Sequence, residues 1–174
     1  EFTYEIKFLK TYINVFLNNS LYINNRKDSW VHNGIQIYIM MKYIEENYPG
    51  TKMLGSAASY KLLKSYNLTN LDFNEQYSYF YMLMARKNLD QALGSPKTDL
   101  IKFNEQIASK YRAGLSIRFL DNYLQKGIVK KSIREFYNLN NIIYLRRKFN
   151  SFLITAKSFP VIRSLPVRKS SIIA

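Results

Sequence analysis

The amino-acid sequence predicts a mainly α-helical protein, in which a short N-terminal helix and a β-hairpin precede about six further helices. The first observation is that apolar residues recur every three or four positions over most of the chain, as in helices that bury one face. The second is an alternation of apolar and polar residues around a polar turn near the N-terminus, which is typical of a hairpin. The third is that 47% of the 174 residues are hydrophobic and 16% are aromatic, which is enough for a core.

The N-terminal helix and the hairpin are predicted within residues 2–24. Four apolar residues fall on one helical stripe: Phe2, Ile6, Leu9 and Ile13. An alternation follows, in which Ile13, Val15 and Leu17 face one way and Asn14, Phe16 and Asn18 the other. Residues 18–20 (Asn-Asn-Ser) then supply turn chemistry, and residues 21–24 read as the returning strand. A two-stranded hairpin is only marginally stable alone. We therefore expect it to pack on the flanking helices or to join a sheet whose other strands precede residue 1.

Six helices are predicted after the hairpin, at 33–48, 56–66, 72–93, 97–125, a short one from 129 or 132, and 142–159. Pro49 ends the first, because a proline cannot continue a helix. Asp72 and Glu75 form a capping pair at the start of the third. Gly114 interrupts the fourth, and two prolines beyond the last helix predict an extended basic tail at 160–174.

The charge of the chain is strongly basic and unevenly distributed. There are 26 Lys and Arg residues against 12 Asp and Glu, a formal net charge of +14. Residues 88–174 hold 16 of the basic residues and 5 of the acidic ones, which gives this half +11. Such an asymmetry favours a polyanionic partner. Three kinds fit: a nucleic acid, an anionic membrane face or a phosphorylated substrate. The alternative is an ordinary basic surface without a specific anionic partner.

Several classes of protein are disfavoured by residues that the sequence lacks. There is no Cys, so neither a disulfide framework nor a thiolate metal site is expected. The longest nearly apolar run, residues 35–41, is far below the roughly 20 residues that span a bilayer. No charged-then-apolar leader is recognisable, and a first residue of Glu suggests a fragment or a processed chain. We expect a cytoplasmic location, with peripheral contact to the inner membrane face as an extension of it.

A family resemblance is carried by residues 1–33. An acidic residue precedes Phe-Thr-Tyr-Glu-Ile-Lys-Phe-Leu, the hairpin ends in Leu-Tyr-Ile-Asn-Asn-Arg, and a Ser follows the Arg by three positions. This order resembles the C-terminal part of bacterial family 2 glycosyltransferases of the GT-A fold. Glu1 would match the second acidic position of that family, with Arg26 and Ser29 matching its Arg and Ser. The chain departs from the family pattern at Asn24 and Asn25, where aromatic residues are common, and in its shorter Arg-to-Ser spacing.

The resemblance implies an inverting glycosyltransferase and assigns roles to residues of the first 33. Glu1 would be the catalytic base that takes the proton from the attacking hydroxyl. Arg26 and Lys27 would hold the diphosphate of the donor, as a planar fork and a point charge. The alternative for both is a solvated turn. Glu5 is a second candidate base from spacing alone, although a solvated helix carboxylate is the simpler interpretation.

Three more residues of this segment would contact the substrate. Ser29 matches the Ser of the family pattern, and the only Trp and the only His of the chain, Trp30 and His32, follow it closely. Trp30 would stack on a sugar, or it would anchor the hairpin to the first helix. His32 would contact phosphate, and metal ligation by this lone imidazole is the less favoured alternative. The segment from residue 21 to residue 34 is thus interpreted as the rim of a phosphosugar site.

The resemblance also implies what the chain lacks. A nucleotide-binding half with an Asp-x-Asp motif would lie upstream, and most ligands of a divalent metal, Mg²⁺ or Mn²⁺, would lie there too. Residues 1–33 would then be the end of the catalytic domain, residues 34–159 a helical C-terminal region, and residues 160–174 the tail. The partners would be a nucleotide-sugar donor and a glycan acceptor. By itself the chain should be inactive.

The basic C-terminal region leaves other functions open. An amphipathic helix at 142–159 would place its cations near anionic lipid head groups, or it would be a surface helix whose apolar stripe faces its own core. The runner-up function is a small basic helical protein that binds nucleic acid through phosphate contacts. A helical interaction module without chemistry is a third interpretation.

Overall fold

The computed structural model describes residues 2–55 and 69–141 and is mainly helical, which confirms the predicted fold class at that level. Five α-helices form the described part of the chain: α1 (Phe2–Ser20), α2 (Ser29–Asn47), α3 (Glu75–Ala85), α4 (Ser109–Tyr123) and α5, which includes residues 128–141. The helices predicted at 56–66 and 142–159, the tail at 160–174 and Glu1 lie outside the described residues.

The predicted β-hairpin is wrong, because residues 13–20 continue α1. Ile13 and Leu17 fit both patterns, since they continue the helical stripe that begins at Phe2 and also lie on one side of the predicted strand. Val15 distinguishes a strand from a helix, because in a strand its side chain would point to the same side as those of Ile13 and Leu17. Its side chain is 54% exposed, whereas Ile13 is 5% exposed. The only extended pairing within the described ranges is an isolated bridge between Lys52 and Asp72.

Helix α2 is the centre of the fold, and it packs against both α1 and α4. It begins at Ser29, about one turn before the predicted start. Four apolar residues at helical spacing along α2 are all buried: Ile37, Met40, Met41 and Ile44. One side of α2 joins α1 in the larger apolar cluster, while Ile37 and Met41 form a second cluster with Tyr77 of α3. A helix buried on several sides accordingly has a weak separation of polar and apolar faces.

The crossing of α2 and α4 depends on two glycines. A Cβ added to Gly114 would lie 2.6 Å from Cβ of Ile37, and one added to Gly34 would lie 2.9 Å from Cβ of Ala113. The two backbones therefore approach more closely than larger residues would permit. Gly114 does not interrupt its helix as predicted, since α4 runs through it from Ser109 to Tyr123.

Helix α3 ends at Ala85, eight residues before its predicted end. Asn88 adopts a left-handed conformation with φ of 53°, and the backbone N–H of Leu89 donates to the carbonyl of Met84 at 3.0 Å. Asn tolerates this conformation and commonly occupies it just after a helix. The chain then runs without a helix until the short 3₁₀ turn Lys97–Asp99, which follows Pro96.

The predicted boundary between residues 33 and 34 falls inside α2. Because α2 packs on α1 as well as on α4, residues 2–33 share one core with the helices that follow. Among the helices in the described ranges, none combines the length and the apolar character needed to cross a membrane.

Candidate functional site

The turn between α1 and α2 presents Arg26 and Lys27 to solvent. The side-chain oxygen of Asn24 accepts a hydrogen bond from the backbone N–H of Arg26 at 3.1 Å. Its carbonyl accepts from the N–H groups of Lys27 and Asp28 at 2.9 and 2.8 Å. Asn favours this kind of local turn because its side chain imitates a backbone acceptor. Both cations are exposed, and Ser29 follows as the half-buried first residue of α2.

His32 points away from this turn and into the interface between α1 and α2. It forms a hydrogen bond with the backbone of Asn14, and one turn later the side chain of Gln36 donates to the carbonyl of Lys10 at 2.8 Å. His32 is buried, and its Nε2 atom is enclosed without a hydrogen-bond partner. Burial is the main cause that lowers the pKa of His32, and the charge of Lys110 lowers it further. Trp30, half-buried, lies in the first turn of α2.

The structure brings only some of the predicted site residues together. Arg26, Lys27 and Ser29 share one turn and the start of α2. At the other end of α1, Phe2 packs edge-on against Tyr48, at 4.9 Å between ring centroids. The 19 residues of α1 separate its two ends by about 27 Å at the helical rise per residue. Glu1 lies outside the described residues.

Glu5, the second candidate base, joins the start of α1 to the end of α2. Its carboxylate accepts hydrogen bonds from the hydroxyls of Tyr43 and Tyr48. These two bonds lower the pKa of Glu5, and the bond from Tyr43 raises the pKa of that tyrosine. A carboxylate that is held ionised by two tyrosines suits a structural link between helices better than proton abstraction.

Lysines from two other elements, Lys10 of α1 and Lys97 of the 3₁₀ turn, act through their charges on Lys110 of α4. The backbone N–H of Lys97 donates to the carbonyl of Arg26 at 2.8 Å, which fixes the 3₁₀ turn against the turn that precedes α2. Lys110, half-buried in the first turn of α4, has its pKa lowered by burial and then by the charges of Lys10 and Lys97. We call Lys10, Lys97 and Lys110 the lysine cluster. Glu105 opposes these charges and pairs with Lys97 at 3.1 Å.

The lysine cluster was not predicted from the sequence. Its members are separated by 87 and 13 positions and follow no motif, so only the folded chain brings them together.

A second unpredicted feature is a row of aromatic side chains on the outer face of α1. Tyr4, Phe8, Tyr12 and Phe16 recur every fourth residue, and Tyr4 and Phe8 are 78% and 71% exposed. The rings of Phe8, Tyr12 and Phe16 stack at 6.3 Å intervals, and Tyr137 of α5 continues the row at 5.8 Å. We call the four residues of α1 the aromatic stripe. Its spacing is visible in the sequence and would have indicated a helix through residue 16.

Two cavities adjoin α1, one at its C-terminal end and one along its first half. One of about 340 Å³ lies between α1, α2 and α5 and is lined mainly by apolar side chains, with Lys130 and Arg134 also in its wall. The other, of about 240 Å³, lies between the first half of α1 and helices α2, α3 and α4. Lys10, Tyr77 and Tyr111 line this second cavity, which we call the Lys10 cavity.

No group of three or more His, Asp or Glu side chains within residues 2–55 and 69–141 could hold a metal ion. These residues therefore do not supply the ligand set of the divalent metal that the resemblance implies, which that resemblance places mostly upstream. Comparisons with protein-family models, curated proteins and solved structures find no match. The resemblance to glycosyltransferases thus depends on the residues of this chain alone.

The lowered pKa of His32 predicts that mild acid destabilises the fold. Below its usual pKa of 6.5 the unfolded chain takes up a proton that the folded chain resists, so stability present above 6.5 is lost as the pH falls through the folded value. Denaturant unfolding between about pH 7.5 and pH 5.5 should show this loss, because the chain has one His. His32→Gln should flatten the dependence. An unfolding free energy of the unaltered protein that is constant over this range would contradict the assignment.

Proposed function

We propose that this chain is the helical C-terminal portion of an inverting glycosyltransferase. The enzyme would transfer a sugar from a nucleotide-sugar donor to a growing surface polysaccharide or a lipid-linked acceptor. The proposed location is cytoplasmic, with peripheral contact to the inner membrane face. The observation that carries the proposal is that Arg26 and Ser29, which bear the resemblance, lie close in the chain with Lys27, on a hydrogen-bonded turn and the helix start that follows it, with both cations exposed.

Three residues would act on the donor diphosphate: Arg26, Lys27 and Ser29. The leaving diphosphate gains negative charge as the bond to the sugar breaks, so fixed positive groups beside it lower the barrier. Arg26 would offer a planar pair of N–H donors and Lys27 a point charge, and the Ser29 hydroxyl would add a hydrogen bond. The divalent metal, when bound through the upstream half, would neutralise the same charge. The base that accepts the proton of the acceptor hydroxyl would come from the upstream half, because Phe2, the residue after Glu1, and the turn lie at opposite ends of α1, about 27 Å apart.

His32 and Trp30 have different parts in this proposal. Because the His32 imidazole is buried against α1, we assign it the positioning of the α2 start, and no contact with phosphate. Trp30 is half-buried one residue after Ser29, which leaves part of its ring for a sugar.

The aromatic stripe gives the proposal further support. It is an apolar surface on the helix where the resemblance begins, and the described residues leave most of it uncovered. Large exposed apolar patches commonly mark surfaces that pack against another domain or protein. A GT-A half would supply such a cover for Tyr4, Phe8 and Tyr12.

The first test is the coding sequence immediately upstream of the codon for Glu1. The proposal expects an open frame with several β-α units and an Asp-x-Asp motif, and a start codon at that point would end it. Residues 1–174 alone should show neither sugar transfer nor nucleotide-sugar hydrolysis. Robust turnover by this chain would contradict the proposal.

In the enzyme with its upstream half, Arg26→Ala should lower kcat/KM for the donor about 100-fold, and Lys27→Ala about tenfold. The difference is expected because a guanidinium can bind a diphosphate through two hydrogen bonds and an ammonium is a single mobile charge. Lys126→Ala, at an exposed cation in the turn before α5, is the matched control and should change kcat/KM less than about twofold. Equal effects of all three variants would remove the special role of the turn.

A second candidate function, a small basic helical nucleic-acid-binding protein, is favoured by the exposed surface of α5. Lys130, Lys131 and Arg134 are exposed there, and Glu135 is the acidic residue beside them. If these cations bind phosphates, the logarithm of affinity for DNA or RNA should fall linearly with the logarithm of salt concentration, by about 0.9 per contact on duplex DNA. An affinity that does not change with salt would exclude this candidate.

A further inference from the structure

We infer that the cavity of about 340 Å³ between α1, α2 and α5 binds a single-chain alkyl phosphate. We call it the α5 cavity. The alkyl chain enters the apolar interior, and the phosphate contacts Lys130 and Arg134 at the mouth. The inference goes beyond the proposed function, because it concerns direct binding by this chain and uses none of the residues assigned to the sugar donor.

The interior of the α5 cavity is formed by apolar side chains from three packed helices. Leu17 of α1 and Ile35 of α2 are buried in the larger apolar cluster, and Ile133 of α5 packs against the same cluster. Phe16 and Tyr137 add a stacked pair of rings to the wall, at 5.8 Å between ring centroids. Because the core of the protein holds these walls in place, little ordering is needed when a ligand binds.

The lining and the size of the α5 cavity select one alkyl chain. The lining surface is almost wholly apolar, so a water molecule inside would find few hydrogen-bond partners. An apolar group that displaces such water gains affinity. Ligand cavities commonly range from about 300 to 1,000 Å³, and this one is close to the lower limit. A single chain therefore fits this space better than the two chains of a phospholipid.

Two cations mark the mouth of the α5 cavity. Lys130 and Arg134 both line it, and they lie four positions apart, so they project from the same side of α5. Both residues are also exposed, so their alkyl stems face the apolar cavity while their charged groups reach solvent at its edge.

The charge at this mouth matches a phosphate. Of the described residues that line the cavity, none is acidic, and Glu135, the residue after Arg134, pairs with Lys131 at 3.9 Å. A phosphate monoester carries a charge of about −1.5 to −2 at pH 7 and three acceptor oxygens. It can therefore accept from the guanidinium and the ammonium group together, whereas a carboxylate brings only one charge to two cations.

The test is isothermal titration calorimetry of residues 1–174 with decyl phosphate below its critical micelle concentration. We expect binding, and a loss of about fivefold or more in affinity for Lys130→Gln and for Arg134→Gln, since each removes a charge-assisted hydrogen bond. Lys126→Gln, at an exposed cation in the turn before α5, is the control and should change the affinity less than about twofold. Decyltrimethylammonium, which has the same chain and a positive head, should bind at least about tenfold more weakly.

A second set of measurements examines the apolar part of the site. Octyl phosphate should bind about tenfold more weakly than decyl phosphate, because two fewer methylenes are buried. Ile133→Trp should fill the cavity and lower the affinity for decyl phosphate at least about tenfold. Leu139→Trp adds the same side chain at a position of α5 that is 59% exposed, and it should change the affinity less than about twofold.

Several outcomes would overturn the inference. They are no binding of decyl phosphate, equal binding of decyltrimethylammonium, and equal losses for the three glutamine variants. Binding to vesicles of anionic phospholipid without binding of monomeric decyl phosphate would assign the two cations to a membrane surface and would also overturn it. If thermal unfolding shows that Ile133→Trp disturbs the fold, the variants at the exposed Lys130 and Arg134 still decide the question. Failure of the Arg26 experiment would leave the inference intact.

Discussion

Replacing Gly114 by valine should lower the free energy of unfolding by about 3 kcal/mol or more, the upper part of the range for overpacking a tight contact. The added Cβ would lie 2.6 Å from Cβ of Ile37, which is the stiff branched base of that side chain and cannot swing away. The clash would force α2 and α4 apart along the contact that holds the centre of the fold. Gly114→Ala should cost about 2 kcal/mol, because the better helix propensity of alanine offsets only about 1 kcal/mol of the clash.

Denaturant unfolding followed by circular dichroism measures both variants. Gly94→Ala is the matched control, since a Cβ there would have nothing within 4 Å, and it should change the unfolding free energy by less than about 0.5 kcal/mol. If Gly114→Ala were as stable as the unaltered protein, the close approach of the two helices would be refuted.

The sequence predicted the class of fold but misassigned one element. Helix α2, which carries Ile37 and Met41, was predicted because its apolar residues repeat over several turns. These residues form the faces of α2 that pack against the neighbouring helices. Residues 13–17 are different, because Ile13, Val15 and Leu17 recur at every second position as in a strand, while two of them also extend a helical stripe. Burial of Ile13 and Leu17 against α2 favours the helix over the strand. This burial is a tertiary effect that local propensity does not contain.

Gly114 shows the same limit at a single residue. In sequence it is a weak helix former that predicts an interruption. In the fold it is the residue that permits α4 to contact α2, and the helix continues because packing outweighs its low propensity. Which of these roles a glycine has depends on the residue opposite it, here Ile37, and the sequence alone does not identify that partner.

The candidate sites differ in how much of each could be predicted from the sequence. Arg26, Lys27 and Ser29 were recognised because they are neighbours in the chain, and a turn keeps neighbours together. The lysine cluster combines Lys10, Lys97 and Lys110, whose charges interact only in the folded chain, so no local sequence pattern indicates it. The segment that carries Lys97 is also irregular in structure, and its course depends on one buried polar side chain.

Asn104 is the buried side chain that sets this course, and Asn104→Ala should lower the free energy of unfolding by about 2 to 3 kcal/mol. Asn104 has no exposed surface, and its amide donates to the carbonyl of Leu89 at 2.7 Å and to the side-chain oxygen of Gln91 at 2.9 Å. Gln91 in turn accepts from the N–H of Ile101 and donates to the carbonyl of Asp99. The substitution leaves a buried carbonyl unpaired and a cavity beside it.

Denaturant unfolding followed by circular dichroism measures the loss for Asn104→Ala. Asn122→Ala, at an exposed position of α4, is the matched control and should change the free energy of unfolding by less than about 0.5 kcal/mol. The two asparagines belong to neighbouring segments, but only the amide of Asn104 donates to groups of the segment that holds Leu89 and Gln91. An Asn104→Ala variant as stable as the unaltered protein would show that the buried amide does not hold this segment in place.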